Sequence, residues 1–199
     1  MGVRMETKKK QKQEALLASA FELFTAKGIH NTSISDIVKQ AKMAKGTFYL
    51  YFKDKYDIRD KLITHKANRI FEQANRQLME SDVEGLEERV VFIADHVIEQ
   101  FNKNQSLLCF VSKNLSWAIF SNIQIPGMDN RNCMDIFEHL IEESGREFRQ
   151  KQLMIYLIVE LVGASCYNVI LHQSPCSLEE LKPDLYQSIG MIIRQFEIN

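Results

Sequence analysis

Apolar residues recur at spacings of three and four along almost the whole chain, and only three prolines and eight glycines interrupt its 199 residues. That period is the helical one, and no segment shows the strict alternation of a half-buried strand. The chain is therefore expected to be all-α. A 45% share of apolar residues is that of an ordinary globular protein, which excludes disorder and fibrous folds.

The first helix is expected from about Lys8 to Lys27, with Leu17, Ala20, Phe21 and Phe24 on one face and Gly28 ending it. The Lys8-Lys9-Lys10 run at its start reads as a mobile, solvated arm. Ser33-Ile34-Ser35-Asp36 resembles a capping box, with Ile34, Ile37, Val38 and Ala41 as the inward stripe of a helix of about two turns. After a turn at Lys42 and Met43, a third segment from Ala44 to Phe52 puts Phe48 and Phe52 together on the core side. Lys45, Thr47, Tyr49 and Tyr51 are left facing solvent or a ligand. Two short helices joined by a tight turn behind a longer one describe a helix-turn-helix.

A fourth helix is expected from Asp54 to about Met79, with Ile58, Leu62, Ile63, Ile70 and Phe71 inward. Breaks near 81–85, 103–106, 125–130, 144–145 and 173–177 then mark five further helical segments. Residues 152–171 are apolar almost all round, but Glu160 at their midpoint is costly in a bilayer, so a helix buried on opposite faces is expected there. In the last segment Ser177 and Glu180 suit a cap, and Pro183 predicts that the helix restarts there.

The net charge of −1 hides an asymmetry. Residues 1–80 carry 16 Lys and Arg against 9 Asp and Glu, whereas residues 81–199 carry 9 against 17. A basic first half is the electrostatic footprint of a polyanion-binding surface, and the acidic remainder is repelled by the same phosphates. The four cysteines show no CxxC pairing and no apolar leader follows Met1, so free thiols in a reducing cytoplasm are expected.

The stretch LLASAFELFTAKGIHNTSISDIVKQAKMAKGTFYLYFKDKYDIRDKL resembles the DNA-binding domain of the TetR/AcrR family of bacterial transcriptional regulators, over about residues 13–63. The carriers are LF…KG at the end of helix one, TSISDI opening helix two, GTFYLYF as recognition helix and KYDIRDKL opening the linking helix. Two departures stand out. The family commonly has AGV followed by serine where this chain has Ala41-Lys42-Met43-Ala44, so the turn glycine becomes Lys42 and the cap of the recognition helix becomes Ala44.

The resemblance implies an N-terminal three-helix DNA-binding domain, residues 1–53, and a linking helix with a C-terminal effector-binding and dimerisation domain, residues 54–199. Thr32 and Ser33 are expected to cap helix two and grip a phosphate. Lys45 and Thr47 are candidates for base edges, Lys toward guanine and Thr toward a thymine methyl. Gly46, costly inside a helix, suits close approach of backbone and duplex. Tyr49, Tyr51, Lys42 and Lys55 complete the set as backbone contacts.

In the second half, Phe92, His96, Phe110, Trp117, Phe120, Tyr156, Glu160 and Tyr167 are candidates for an effector site, because bundles hold ligands between helices. The five histidines show no metal-binding spacing, and no Ser/His/Asp order, glycine-rich phosphate loop or carboxylate pair suggests an enzyme or a cofactor. The expectation is a homodimeric, effector-released repressor on a palindromic double-stranded operator, dimerised through its last two helices and without membrane contact. A small-molecule-binding helical protein with a vestigial helix-turn-helix is the alternative.

Overall fold

A computed structural model describes residues 2–114 and 133–198, with side chains from Thr7 to Ser112 and from Cys133 to Ile198. Nine helices are present among the described residues: α1 Gly2–Lys27, α2 Ile34–Gln40, α3 Lys45–Tyr49, α4 Lys55–Met79, α5 Leu86–Lys103, α6 Gln105–Asn114, α7 Cys133–Glu143, α8 Lys151–His172 and α9 Leu178–Phe196. No strand occurs among them; the one β-bridge pairs Phe148 with Glu197. The all-α class is as expected. Trp117 and Phe120 lie outside the described residues.

The chain forms two compact units that divide inside α4, between Lys66 and Ala67. That is later than the boundary at residue 54 expected from the sequence, and burial explains why. Ile58, Leu62 and Ile63 on the first turns of α4 are 0% exposed, as are Leu16, Ala20, Ile37 and Phe48. The opening of the linking helix thus has an apolar face that has to be covered.

Three lysines fasten this part of α4 within the first unit. Lys55 donates to the carbonyls of Ile29 and His30 at 3.1 and 3.2 Å. Lys61 reaches the Tyr51 carbonyl at 3.2 Å, and the Lys66 ammonium lies 4.3 Å from the centre of the Phe21 ring.

The lysines before Gln11 stand on α1 itself, which begins at Gly2, so the expected mobile arm is a continuation of the helix. No proline or glycine lies between Val3 and Lys27 to stop it.

In the second unit α5 packs against α7, α8 and α9, and α8 against α9. The apolar stripe Leu86, Val90, Ile93, Val97 and Phe101 carries α5 into this bundle. Charged groups tie its first turn and its second half. Arg146 bridges Glu87 and Glu197, each at 2.7 Å, and Lys182 bridges Asp95 and Glu99 at 2.7 and 2.6 Å.

Two expectations are corrected here. α8 is long and apolar enough by composition to cross a membrane, yet it is buried on one face, not on two. Met154, Ile158, Val162, Cys166 and Val169 face inward, while Leu153 and Leu157 stay 42% and 38% exposed. Also, α9 does not restart at Pro183. The missing donor would have served the carbonyl of Glu179, an exposed residue in the first turn, where water can replace it. The Ser177–Glu180 capping box and the Lys182 bridges hold that turn in place.

Candidate DNA-binding surface

The surface begins with the loop that ends α1. Gly28 takes a left-handed conformation, φ +81°, and its amide bonds the carbonyl of Phe24. Asn31 and Thr32 then turn back, donating at 3.0 and 2.8 Å to the carbonyls of Lys27 and Gly28. Thr32 is only 2% exposed. This corrects its expected role as a cap of α2: its hydroxyl serves the end of α1.

Ser33 alone caps α2. Its hydroxyl accepts from the Asp36 amide at 3.1 Å, and Asp36 accepts from the Ser33 amide at 2.9 Å. This reciprocal box satisfies two amides that a helix start leaves open. The Ser33 amide and the Lys27 ammonium hold the Asp36 carboxyl down, from its ordinary 3.8 to about 2.

The turn between α2 and α3 departs from the family's usual sequence but keeps a defined geometry. Lys42 adopts φ +54°, its amide bonds the Lys39 carbonyl, and the Met43 amide bonds the Val38 carbonyl at 2.8 Å. This pair of bonds is a Schellman motif, in which glycine is usual at the left-handed position. Lysine occupies it here at some cost in backbone strain. Ala44 starts α3 without a side-chain cap, as its identity dictates.

Phe48 on α3 and Phe52 just beyond it are 0% and 2% exposed, with ring centroids 5.4 Å apart. They anchor the helix, and everything opposite them is presented outward. Lys45 and Gly46 are exposed, Thr47 and Tyr51 are half-buried, and Tyr49 is 53% exposed. The side chains of Lys42, Lys45, Thr47, Tyr49 and Tyr51 have no hydrogen-bond partner among the described residues, so their donors are free for a ligand. A β-carbon at Gly46 would meet nothing within 4 Å. The fold therefore has no need of glycine at 46.

The Lys55 ammonium is engaged by the carbonyls of Ile29, His30 and Thr32, so within the fold it braces the α1–α2 loop against α4. Two exposed residues of the same surface were not singled out in the sequence: Lys53 and Leu50, the latter 77% exposed. The signal for Leu50 was present, since it stands two residues from each of two core phenylalanines.

The effector candidates of the second unit fall on different surfaces. Phe110 is 5% exposed, and Phe92 and His96 are half-buried one turn apart on α5. Burial pushes the His96 pKa down, and its Nε2 is buried without a partner. Tyr156, Glu160 and Tyr167 share the side of α8 turned away from its buried stripe. Glu160 is exposed and has no ion-pair partner among the described residues.

Asn68 was missed. It is 2% exposed, its Oδ1 accepts from the Cys133 thiol at 3.3 Å, and its Nδ2 has no partner. Its only sequence signal was a polar residue on the inward face of α4, between Thr64 and Phe71.

Residues 16–62 match the family described as bacterial regulatory proteins, tetR family. Over 162 residues, 80% of each chain, the protein is 30% identical to the uncharacterized HTH-type transcriptional regulator YdgC of Bacillus subtilis. A second B. subtilis regulator of this type, YvdT, is 46% identical over 63 residues, 32% of its length. The fold is similar to that of the B. subtilis transcriptional regulator FadR, crystallised with stearoyl-CoA, at a TM-score of 0.60 and 18% identity over 88% of this chain and 96% of that one. The chain belongs to the tetR family of bacterial regulatory proteins and is an HTH-type, DNA-binding transcriptional regulator.

Proposed function

We propose that this regulator acts in the cytoplasm as a homodimeric repressor, bound to a palindromic operator and released from it by a small-molecule effector. The observation that carries the reading is the outward set on α3, where Lys45, Thr47 and Tyr49 present unpartnered donors around a glycine the fold does not require. Gly46 stands in the first turn of α3, where glycine still loses more backbone entropy on ordering than alanine would. Its use at Gly46 fits a duplex that approaches the backbone there. Ser33 and Lys42 border the same surface, and Tyr51 flanks it as a contact to the DNA backbone.

A recognition helix this short reads few bases, so two copies related by a two-fold axis would occupy half-sites about 10 bp apart or a multiple of that. The uncovered face of α8, with Leu153, Leu157, Ala164 and Leu171, and the 51% exposed Met191 of α9 support dimerisation through these two helices. Such an apolar stripe is what an isologous contact would cover. Glu160 lies on that stripe and would meet the second copy.

We infer an effector site in the second unit, with Asn68 and His96 as separate candidates for its polar contacts. Both carry buried polar atoms without partners, and such atoms are costly unless something completes them. The similarity to FadR makes long-chain acyl thioesters the first compounds to test. α4 runs through both units, and Lys55, Lys61 and Lys66 fasten its opening turns to the DNA-binding elements. A ligand that displaces its later turns would carry those elements with it. A hundredfold loss of operator affinity requires a coupling of about 2.7 kcal/mol, an ordinary magnitude for allostery.

The test is selection of bound duplexes from a random pool by the purified full-length protein at physiological salt. A two-fold symmetric motif supports the reading, and its absence overturns it. Release of the selected duplex by stearoyl-CoA, but not by CoA alone, would identify the effector class.

A further inference from the structure

Leu50 is 77% exposed, more than any other large apolar side chain among the described residues. Its position is fixed from both sides. Phe48 and Phe52 are sunk in the core, and the amides of residues 50, 51 and 52 bond back to Thr47 and Phe48 at 3.0–3.3 Å. At about 100° per residue, position 50 points almost opposite to the mean direction of these two phenylalanines. Gly46, one turn earlier, shares that outward direction, and a β-carbon there would face open space. The centre of the presented surface is therefore apolar, with Lys45 and Tyr49 on one flank and Thr47 and Tyr51 on the other.

A single exposed leucine is common on protein surfaces and by itself needs no explanation. This one occupies the middle of a rigid surface whose flanks carry the hydrogen-bonding groups. In the major groove, the chemical feature that an aliphatic side chain distinguishes is the C5-methyl of thymine. We propose that Leu50 is a specificity-determining residue that packs against a thymine methyl at one symmetric position of each operator half-site. Thr47, assigned that role from the sequence, stands on the flank. The inference rests on the operator-binding reading above.

The experiment replaces thymines of the selected operator with deoxyuridine, one symmetric pair at a time, and measures affinity by fluorescence anisotropy for the wild type, Leu50→Ala and Leu50→Met. At one thymine pair, loss of the methyl groups weakens wild-type binding by about fourfold per half-site, the weight of one buried methylene-sized group. The same change leaves Leu50→Ala unaffected, and Leu50→Met keeps most of the sensitivity. Because both proteins meet the same DNA, any effect of uracil on duplex shape cancels in the comparison.

Should Leu50→Ala bind too weakly to titrate, Leu50→Val carries the comparison, and undiminished sensitivity in it overturns the proposal. So does an operator in which no thymine methyl matters to the wild type, or an equal penalty in wild type and Leu50→Ala. These failures are distinct from that of the operator reading, which falls earlier, if no symmetric motif is selected at all.

Discussion

Replacing Lys42 with glycine is expected to stabilise the protein and weaken its hold on DNA at the same time. Lys42 sits at φ +54° in a turn whose bonds from the Lys42 and Met43 amides fix the backbone. A residue with a β-carbon costs about 1–2 kcal/mol in that conformation. Glycine escapes this cost but is about 0.5–1 kcal/mol more expensive to order. On mid-range values the balance favours Lys42→Gly by about 0.75 kcal/mol, a rise in melting midpoint of about 1.5–3 °C for a chain of this size.

The exposed ammonium has no partner among the described residues, so losing it should remove one phosphate contact per subunit. That lowers the slope of log affinity against log salt by about 0.9 for each contact. Lys42→Ala separates the two effects, since alanine keeps the β-carbon and loses only the cation. Thermal melts and salt titrations on the selected operator check both arms. A Gly variant no more stable than the Ala variant refutes the strain argument, and unchanged salt slopes in both remove Lys42 from the interface.

Ser33→Ala removes one half of the capping box and should cost about 1 kcal/mol in chemical denaturation; a loss within error would mean that α2 is held by packing alone. The Asp36 carboxyl is depressed to about 2, so its stabilisation is present above its ordinary value and fades as the pH falls toward 2. The stability gap between wild type and Asp36→Asn should therefore close across that window, and a gap independent of pH would contradict the assignment. Tyr49→Ala is expected to lose operator affinity by tenfold or more, on the order of 1.4 kcal/mol, with circular dichroism and assembly state unchanged. Loss of folding would show Tyr49 to be structural. Leu157→Arg should give monomers in sedimentation experiments at micromolar concentration, and dimers persisting there would move the interface away from α8.

The DNA-binding half was legible because its signals are local. Capping residues, a glycine after α1, and phenylalanines four apart specify short helices and their inward faces with no knowledge of what lies far along the chain. Even the departure at Lys42 could be read, although only the backbone shows that lysine takes the left-handed conformation that glycine would have taken. The charge asymmetry and the family resemblance follow from the residues alone.

Side-chain assignments that depend on distant partners were decided by the tertiary structure. Thr32 and Lys55 both look like phosphate ligands in a linear motif. One is buried on carbonyls of the preceding turn, and the other is held by carbonyls 23 to 26 residues away in sequence. The sequence also determined that residues 151–172 form an apolar helix, but not which side of it stays uncovered, because that depends on how α5 and α9 pack against it. Asn68 was hidden for the same reason. A polar residue on an apolar helix face shows its need for a partner only once the neighbours that could satisfy it are in place. Helical period and caps act over a few residues and are written in the chain; burial and hydrogen-bond satisfaction arise when distant segments meet.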